Sequence, residues 1–234
     1  MSPASATANG FCRQRCRASS RHIPKRIVMM KLYYSPLACS LADHIALFEA
    51  GVPFERESVN LKTKRTASGA DFNDITRKGY VPALVLDSGE VLTENIAVLD
   101  WLATEYPTLG IPGALGRTRV LEALAFISTE VHRSFKPMWH ASSETQKAQA
   151  RATISKLLDI LSERLAGNYL FGATPSVADF YLFVMLLWAE RFDVAVPAPL
   201  VALRQRMRNR PAVQEAMRHE GLISANDRQA PTAA

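Results

Sequence analysis

From residue 30 to residue 106 the chain alternates between two-residue and helical apolar periods, and after residue 113 it never returns to a strand pattern. That division limits the fold more than any single motif does. Residues 31–34 read as a strand and 40–50 as a helix with Leu41, Ile45, Leu47 and Phe48 on its apolar side. Gly51 stands where a helix C-terminal glycine belongs. Residues 54–60 form a second strand. Residues 61–79 are polar and irregular, with one short helix near 71–75. Segments 81–86 and 91–93 flank Asp87-Ser88-Gly89-Glu90, a hairpin turn signal. A helix over 95–106, burying Ile96, Val98, Leu99, Trp101 and Leu102, completes the order βαβ, loop, ββα.

The Pro- and Gly-rich stretch 107–113 marks a boundary. Residues 118–138 and 144–166 then read as long amphipathic helices. Ser176 and Asp179 have the spacing of a capping box, with a hydroxyl at the N-cap and a carboxylate three residues on. The segment they open, 180–189, is apolar all round, as expected of the central helix of an all-helical unit. Two shorter helices are expected over about 197–209 and 212–219. The predicted organisation is a basic leader over 1–29, an α/β unit over 30–107, a linker over 108–115, an all-helical unit over 116–222 and a tail over 223–234.

The net charge of +6 comes entirely from the leader. Residues 1–29 hold six basic residues and no Asp or Glu, which leaves 22 basic and 22 acidic residues in the remainder. The body therefore lacks the field of a nucleic-acid binder. The leader has no apolar run of secretory length. It reads as an upstream start with Met29 or Met30 the working one, the alternatives being a disordered tail or a targeting segment. No apolar run reaches the roughly 18 residues that span a bilayer, and the expected location is the cytoplasm. Of the three cysteines, Cys12 and Cys16 lie in the leader without the second half of a zinc pattern, so no metal is expected. Cys39 is the sole cysteine of the body, which allows no structural disulfide there and fits a reducing compartment.

Cys39 follows a strand and opens a helix. A free thiol is only about 3% ionised at pH 7, and the unpaired N–H groups and positive dipole end of a helix start favour thiolate. On that ground a lowered pKa is expected, with a small buried hydrophobe as the plain alternative. Pro82 opens a strand without a backbone donor. If the Val81–Pro82 bond is cis, the bend aims the Val81 N–H and C=O outward, toward a peptide ligand; otherwise Pro82 is an ordinary edge-strand proline. Glu94 and Asn95 end a strand and start a helix, where a carboxylate holds an ammonium and helix-start N–H groups hold a carboxylate; Asn95 could equally be a cap. Lys64 and Arg133 could pair with further carboxylates, or be solvated surface. His132 is a candidate proton carrier near the end of a helix, with Phe135 and Trp139 after it as pocket lining or core.

Taken together, Tyr-Tyr-x-Pro-x-Ala-Cys-Ser, Lys-Gly-x-Val-Pro-Ala-Leu, Leu-Thr-Glu-Asn, Glu-x-His-Arg-x-Phe-x-Pro and Ser-Val-Ala-Asp-Phe-Tyr-Leu-Phe resemble a bacterial, beta-class glutathione S-transferase over residues 30 to about 222. The resemblance implies a thioredoxin-like α/β N-terminal domain, an all-α C-terminal domain and a homodimer that binds glutathione as co-substrate. It matches Cys39 to the family's cysteine facing the glutathione sulfur, and Tyr34 to a nearby tyrosine that is not the main activator. By the same match Val81 pairs with the cysteinyl main chain of glutathione, beside Pro82. Glu94 and Asn95 hold the γ-glutamyl head, and Lys64, His132 and Arg133 lie toward the rest of the tripeptide. Ser176 and Asp179 match a folding cap. Asn95 stands where Ser or Gly is familiar, and Ala125 where relatives carry an Asn that reaches the neighbouring subunit's ligand. Three functions follow: transfer of the glutathione thiolate to a small apolar electrophile, glutathione-dependent disulfide exchange through Cys39, or a non-catalytic ligand-binding or interaction module.

Overall fold

The structure, a computed structural model, describes residues 29–140 and 142–224. The leader predicted over 1–29, with Cys12 and Cys16, lies almost wholly outside the described residues, as does the tail beyond 224.

A five-stranded mixed sheet has the order β3-β2-β1-β4-β5, built from β1 (Lys31–Tyr34), β2 (Glu55–Asn60), β3 (Arg65–Thr66), β4 (Ala83–Val85) and β5 (Val91–Thr93). Only β1 and β2 are parallel, joined across α1 (Leu41–Ala50); the other pairs are antiparallel. Strand period sends Leu32 and Tyr34 into the main core, whereas Tyr33 joins Val59, Phe72, Val81 and Ala83 on the opposite face. Gly51 ends α1 at φ 67, a left-handed conformation glycine adopts without penalty. After α2 (Asn95–Glu105) the remaining elements are helical: α3 (Gly116–Phe126), α4 (Lys136–Trp139), α5 (Glu144–Glu163), α6 (Val177–Arg191), α7 (Ala198–Arg208) and α8 (Pro211–His219).

Three predictions are refined. β3 falls in a segment read as irregular; two residues on a sheet edge carry no alternating signal. The short helix near 71–75 is a 3-10 turn over Phe72–Asp74. The single helix predicted over 118–138 is broken into α3, a π-helical stretch Ile127–His132 and α4. Thr129 and Ser134 donate their hydroxyls to the carbonyls four residues back, a bonding pattern that bends helices. A π-turn changes the phase of the residues after it, and this one ends on His132.

α6 is buried from Val177 to Ala189. Its cap is complete: Asp179 accepts from the Ser176 N–H at 2.8 Å, the Ser176 hydroxyl at 2.9 Å and the Leu170 N–H at 2.8 Å.

α6 and α8 both pack on α1, and side chains from α6 and from the residue after α8 reach the loop before the cysteine. Leu37, at φ 59, donates its N–H to Glu220 at 2.9 Å, while its carbonyl accepts from the Trp188 indole at 2.8 Å. Glu220 also meets His44 Nδ1 at 3.0 Å with both side chains fully buried. Burial pushes the Glu220 carboxyl up to about 8 and the His44 imidazole down to about 3, so the pair is neutral at pH 7. A carboxyl raised from 4.5 to about 8 contributes stability that is fully present below pH 4.5 and lost as pH rises through 8. An imidazole lowered from 6.5 to about 3 contributes stability that is fully present above pH 6.5 and is lost progressively as pH falls from there through 3. The two slopes oppose each other below pH 6.5, so the melting temperature is expected to fall between about pH 6.5 and pH 8. Glu220→Gln, which keeps an acceptor for Leu37 but cannot titrate, should flatten that slope in thermal melts. An unchanged slope would rule out Glu220 as its source.

Candidate functional site

Between the sheet and the helical domain lies a cavity of about 320 Å³. Its walls come from four places: Cys39 before α1; Tyr80, Val81 and Pro82 entering β4; Glu94, Asn95 and Ile96 at the start of α2; and Ser128, His132 and Tyr181 from the helices. Of the nine site residues predicted, Cys39, Val81, Pro82, Glu94, Asn95 and His132 are brought together here.

The Val81–Pro82 peptide is cis. The Val81 carbonyl accepts from the Cys39 thiol at 3.7 Å. Burial, then the charge of Asp43, push this half-buried thiol up to about 12, against the pull of the Cys39 and Ser40 backbone N–H groups. The expected lowering is thus corrected. α1 begins at Leu41, so Cys39 sits before the helix rather than on its tip, and an acidic side chain one turn on opposes its ionisation. Cys39 is held as a thiol and a hydrogen-bond donor to Val81.

Glu94 lies at the rim, more than half exposed, at φ 71. It accepts from Lys78 at 2.6 Å and from the Tyr80 hydroxyl at 3.2 Å, and the Lys78 contact lowers its carboxyl below the usual range. Asn95 differs from the expectation of a ligand-facing side chain. It is buried, and its amide nitrogen faces the Cys39 carbonyl at 3.2 Å and Asp43 Oδ2 at 2.7 Å. Only its backbone is left to face a ligand. His132 lies with Nδ1 2.6 Å from the Tyr181 hydroxyl and its ring edge-on to Trp188, and burial lowers its pKa.

Three predicted residues lie elsewhere. Tyr34 is buried beside His44 and donates its hydroxyl to the His219 carbonyl at 3.3 Å, because strand alternation turns it to the face opposite Tyr33. Lys64 donates to the Gly79 carbonyl, bracing the loop two residues before Val81 without lining the cavity. Arg133 lines a separate, polar cavity of about 710 Å³ beside α5, since consecutive helical residues point about 100° apart. Phe135 is core, in edge contact with Trp188, while the exposed Trp139 lies against Arg191. Residues not anticipated as part of the site are Lys78, Tyr80, Ser128, Tyr181 and, beneath it, Asp43. Lys78 and Tyr181 each lie inside a quoted motif, although neither is read there as a site residue. Among the described residues no cluster of three or more His, Cys, Asp or Glu could hold a metal, and no helix is long and apolar enough to cross a membrane.

A thiol beside a cis-proline strand, under a helical domain that caps the site, defines a thioredoxin-like, thiol-handling class of two-domain protein. Family models for the glutathione S-transferase N-terminal domain and C-terminal domain match residues 38–105 and 144–218. The chain is 39% identical over 200 residues to glutathione S-transferase GstA of Escherichia coli O157:H7, covering 82% of this chain and all of that protein. It resembles the crystal structure of a glutathione transferase from Methylococcus capsulatus with a TM-score of 0.78 at 48% identity, covering 83% of this chain and all of the other. A sphingomonad glutathione S-transferase complexed with glutathione gives a TM-score of 0.77 at 42% identity, covering 82% of this chain and all of the other. The chain belongs to the glutathione S-transferase family.

Proposed function

We propose that the protein is a beta-class, cytoplasmic, homodimeric glutathione transferase that adds the glutathione thiolate to small apolar electrophiles, a detoxification reaction. The observation that carries this reading is the convergence of Cys39, the Val81–Pro82 strand entry, Glu94 and His132 on one cavity. Glutathione lies along β4 in the unit over 30–107, its cysteinyl main chain on the Val81 backbone and its γ-glutamyl ammonium on Glu94. The backbone at the start of α2 takes the head-group carboxylate. Lys64 and Arg133 are left out of this contact set, given where their side chains lie.

Cys39 is a donor in this mechanism. Its S–H, now spent on the Val81 carbonyl, turns to the glutathione sulfur and stabilises the thiolate. Each unit of lowering of the bound thiol's pKa gives up to about tenfold more nucleophile, until the thiolate saturates. Holding it against the electrophile adds the proximity term. Disulfide exchange is the second reading, resting on the cysteine itself, but it requires a Cys39 thiolate that burial and Asp43 oppose.

Retention on immobilised glutathione, followed by turnover of a chlorodinitrobenzene-type electrophile, tests the proposal. Binding with turnover is the expected result. Binding without turnover would point to a carrier, and no binding to an interaction module. Light scattering tests the dimer.

A further inference from the structure

Within the proposed transferase reading, we propose that Lys78 is a further glutathione-binding residue, pairing with Glu94 to receive the zwitterionic γ-glutamyl end of the tripeptide. The donors and acceptors left unused at the cavity rim carry the inference. Lys78 stands on the loop that enters β4, and Glu94 stands between β5 and α2. The Lys78 ammonium donates to Glu94 Oε1 at 2.6 Å and to the Thr93 hydroxyl at 2.9 Å. An ammonium has three N–H donors, so among the described residues one remains unused. Tyr80 donates its hydroxyl to the same Glu94 oxygen at 3.2 Å. Both contacts fall on Oε1, and among the described residues Oε2 has no hydrogen-bond partner. One free donor and one free acceptor therefore sit on two side chains already in contact.

The backbone fixes both side chains. Gly79, at φ 65, turns the chain immediately after Lys78, and its carbonyl accepts from Lys64. A side chain at Gly79 would come within 3.1 Å of Asn73 Oδ1 as well as meeting the left-handed penalty, so the turn needs glycine. Lys64, which lines no part of the cavity, thus supports the loop that carries Lys78. Glu94 is left-handed too, at φ 71, a conformation that costs an ordinary residue energy and recurs where ligands are clamped. Glu94 lines the cavity, whereas Lys78 meets the cavity through it. Their contact raises the Lys78 pKa and lowers that of Glu94, so both are charged at pH 7.

An α-amino acid end carries an ammonium and a carboxylate on one carbon, so it needs an acceptor and a donor close together. The γ-glutamyl residue keeps both groups free because its peptide bond runs through the side chain. With the ammonium on Oε2, the α-carboxylate comes within reach of the unused Lys78 N–H, and the backbone N–H groups at the start of α2 take its second oxygen. Charges then alternate in sign around a ring: Lys78, Glu94, ligand ammonium, ligand carboxylate. The Lys78–Glu94 contact need not break for the ligand to enter. A thiol compound with an amine alone, or an acid alone, leaves one charge of the ring uncompensated, so the pair selects for the complete amino acid end.

Calorimetric titration of the full chain with glutathione, and with γ-aminobutyryl-cysteinylglycine, tests the pairing. The second ligand keeps the amine and the thiol and lacks only the α-carboxylate. Lys78→Met, at an exposed position, should weaken glutathione roughly fivefold, the upper end of what an exposed charge pair supports, and leave the analogue unchanged. The loss should close as salt approaches about 1 M, and Lys78→Arg should recover most of the affinity. Equal loss for both ligands would make Lys78 a support for Glu94 alone and overturn the proposal. An unchanged glutathione affinity in Lys78→Met would overturn it too, as would a gain, which would mean that Lys78 competes with the ligand ammonium. Where the analogue binds too weakly to titrate, the salt series decides, since a loss that persists at high salt is structural. Failure of the wild type to bind glutathione sinks the transferase reading together with the proposal, whereas tight binding that ignores Lys78 sinks the proposal alone.

Discussion

Cys39→Ala is expected to abolish glutathione-dependent disulfide exchange while leaving conjugation within roughly a hundredfold of the wild type, an oxyanion-donor-sized loss. The two activities need opposite forms of the same side chain. Exchange needs a Cys39 thiolate to attack a disulfide sulfur. Burial and the neighbouring Asp43 push that thiol up to about 12, so the resting side chain offers a proton rather than an electron pair. Conjugation needs only a donor toward the glutathione sulfur. Cys39→Ser makes the comparison sharper. It keeps an O–H donor and removes the sulfur nucleophile, so conjugation should recover part of the alanine loss while exchange stays at background. Turnover of a chloronitro electrophile and of a mixed disulfide, measured on the same preparations, checks both halves. Should both activities disappear together in Cys39→Ser, Cys39 would have to be a nucleophile in conjugation as well, and the donor role would be wrong.

The sequence reveals what depends on period and misses what depends on depth. The strand–helix alternation before residue 107 and the helices after it are visible because each element buries one face, and periodicity reports faces. The capping box at Ser176 and Asp179 is visible because its two parts are three residues apart on one turn. The ionisation of Cys39 is not. It is set first by burial, and then by an aspartate that a helical wheel places among apolar neighbours. Carboxylates are seldom fully buried, so a reading of α1 by polarity puts Asp43 and His44 toward water; both are fully buried under the helical domain. Tyr34 and Arg133 go astray for a related reason. Adjacent residues of a strand or helix share a motif but not a direction, and Tyr33–Tyr34 and His132–Arg133 each divide between two environments. The π-turn lies beyond any periodic reading, because one extra residue in a turn leaves the surrounding apolar spacing nearly intact.

Asp179→Ala should cost more stability than any other single substitution considered for this chain. Its carboxylate accepts three hydrogen bonds in a site with no access to water, and the helix it opens is the centre of the helical domain. Alanine would strand the Leu170 and Ser176 N–H groups and the Ser176 hydroxyl. Each buried unsatisfied group costs about 1–3 kcal/mol, so three of them cost roughly 3–9 kcal/mol, comparable with the whole stability of a marginal domain. Ser176→Ala removes one hydroxyl and leaves both N–H groups paired with Asp179, an ordinary cap loss of about 1 kcal/mol. Asp179→Asn keeps one acceptor oxygen and should fall between them. Urea denaturation followed by tryptophan fluorescence measures the series, since Trp188 lies on the same helix. The consequence reaches the cavity, because α6 also carries Tyr181 and the Trp188 indole that holds the Leu37 carbonyl. Loss of the cap should therefore lower glutathione binding in step with the unfolded fraction and no further. A loss of binding in a fully folded Asp179→Asn would mean that the cap sets the site geometry as well as the fold.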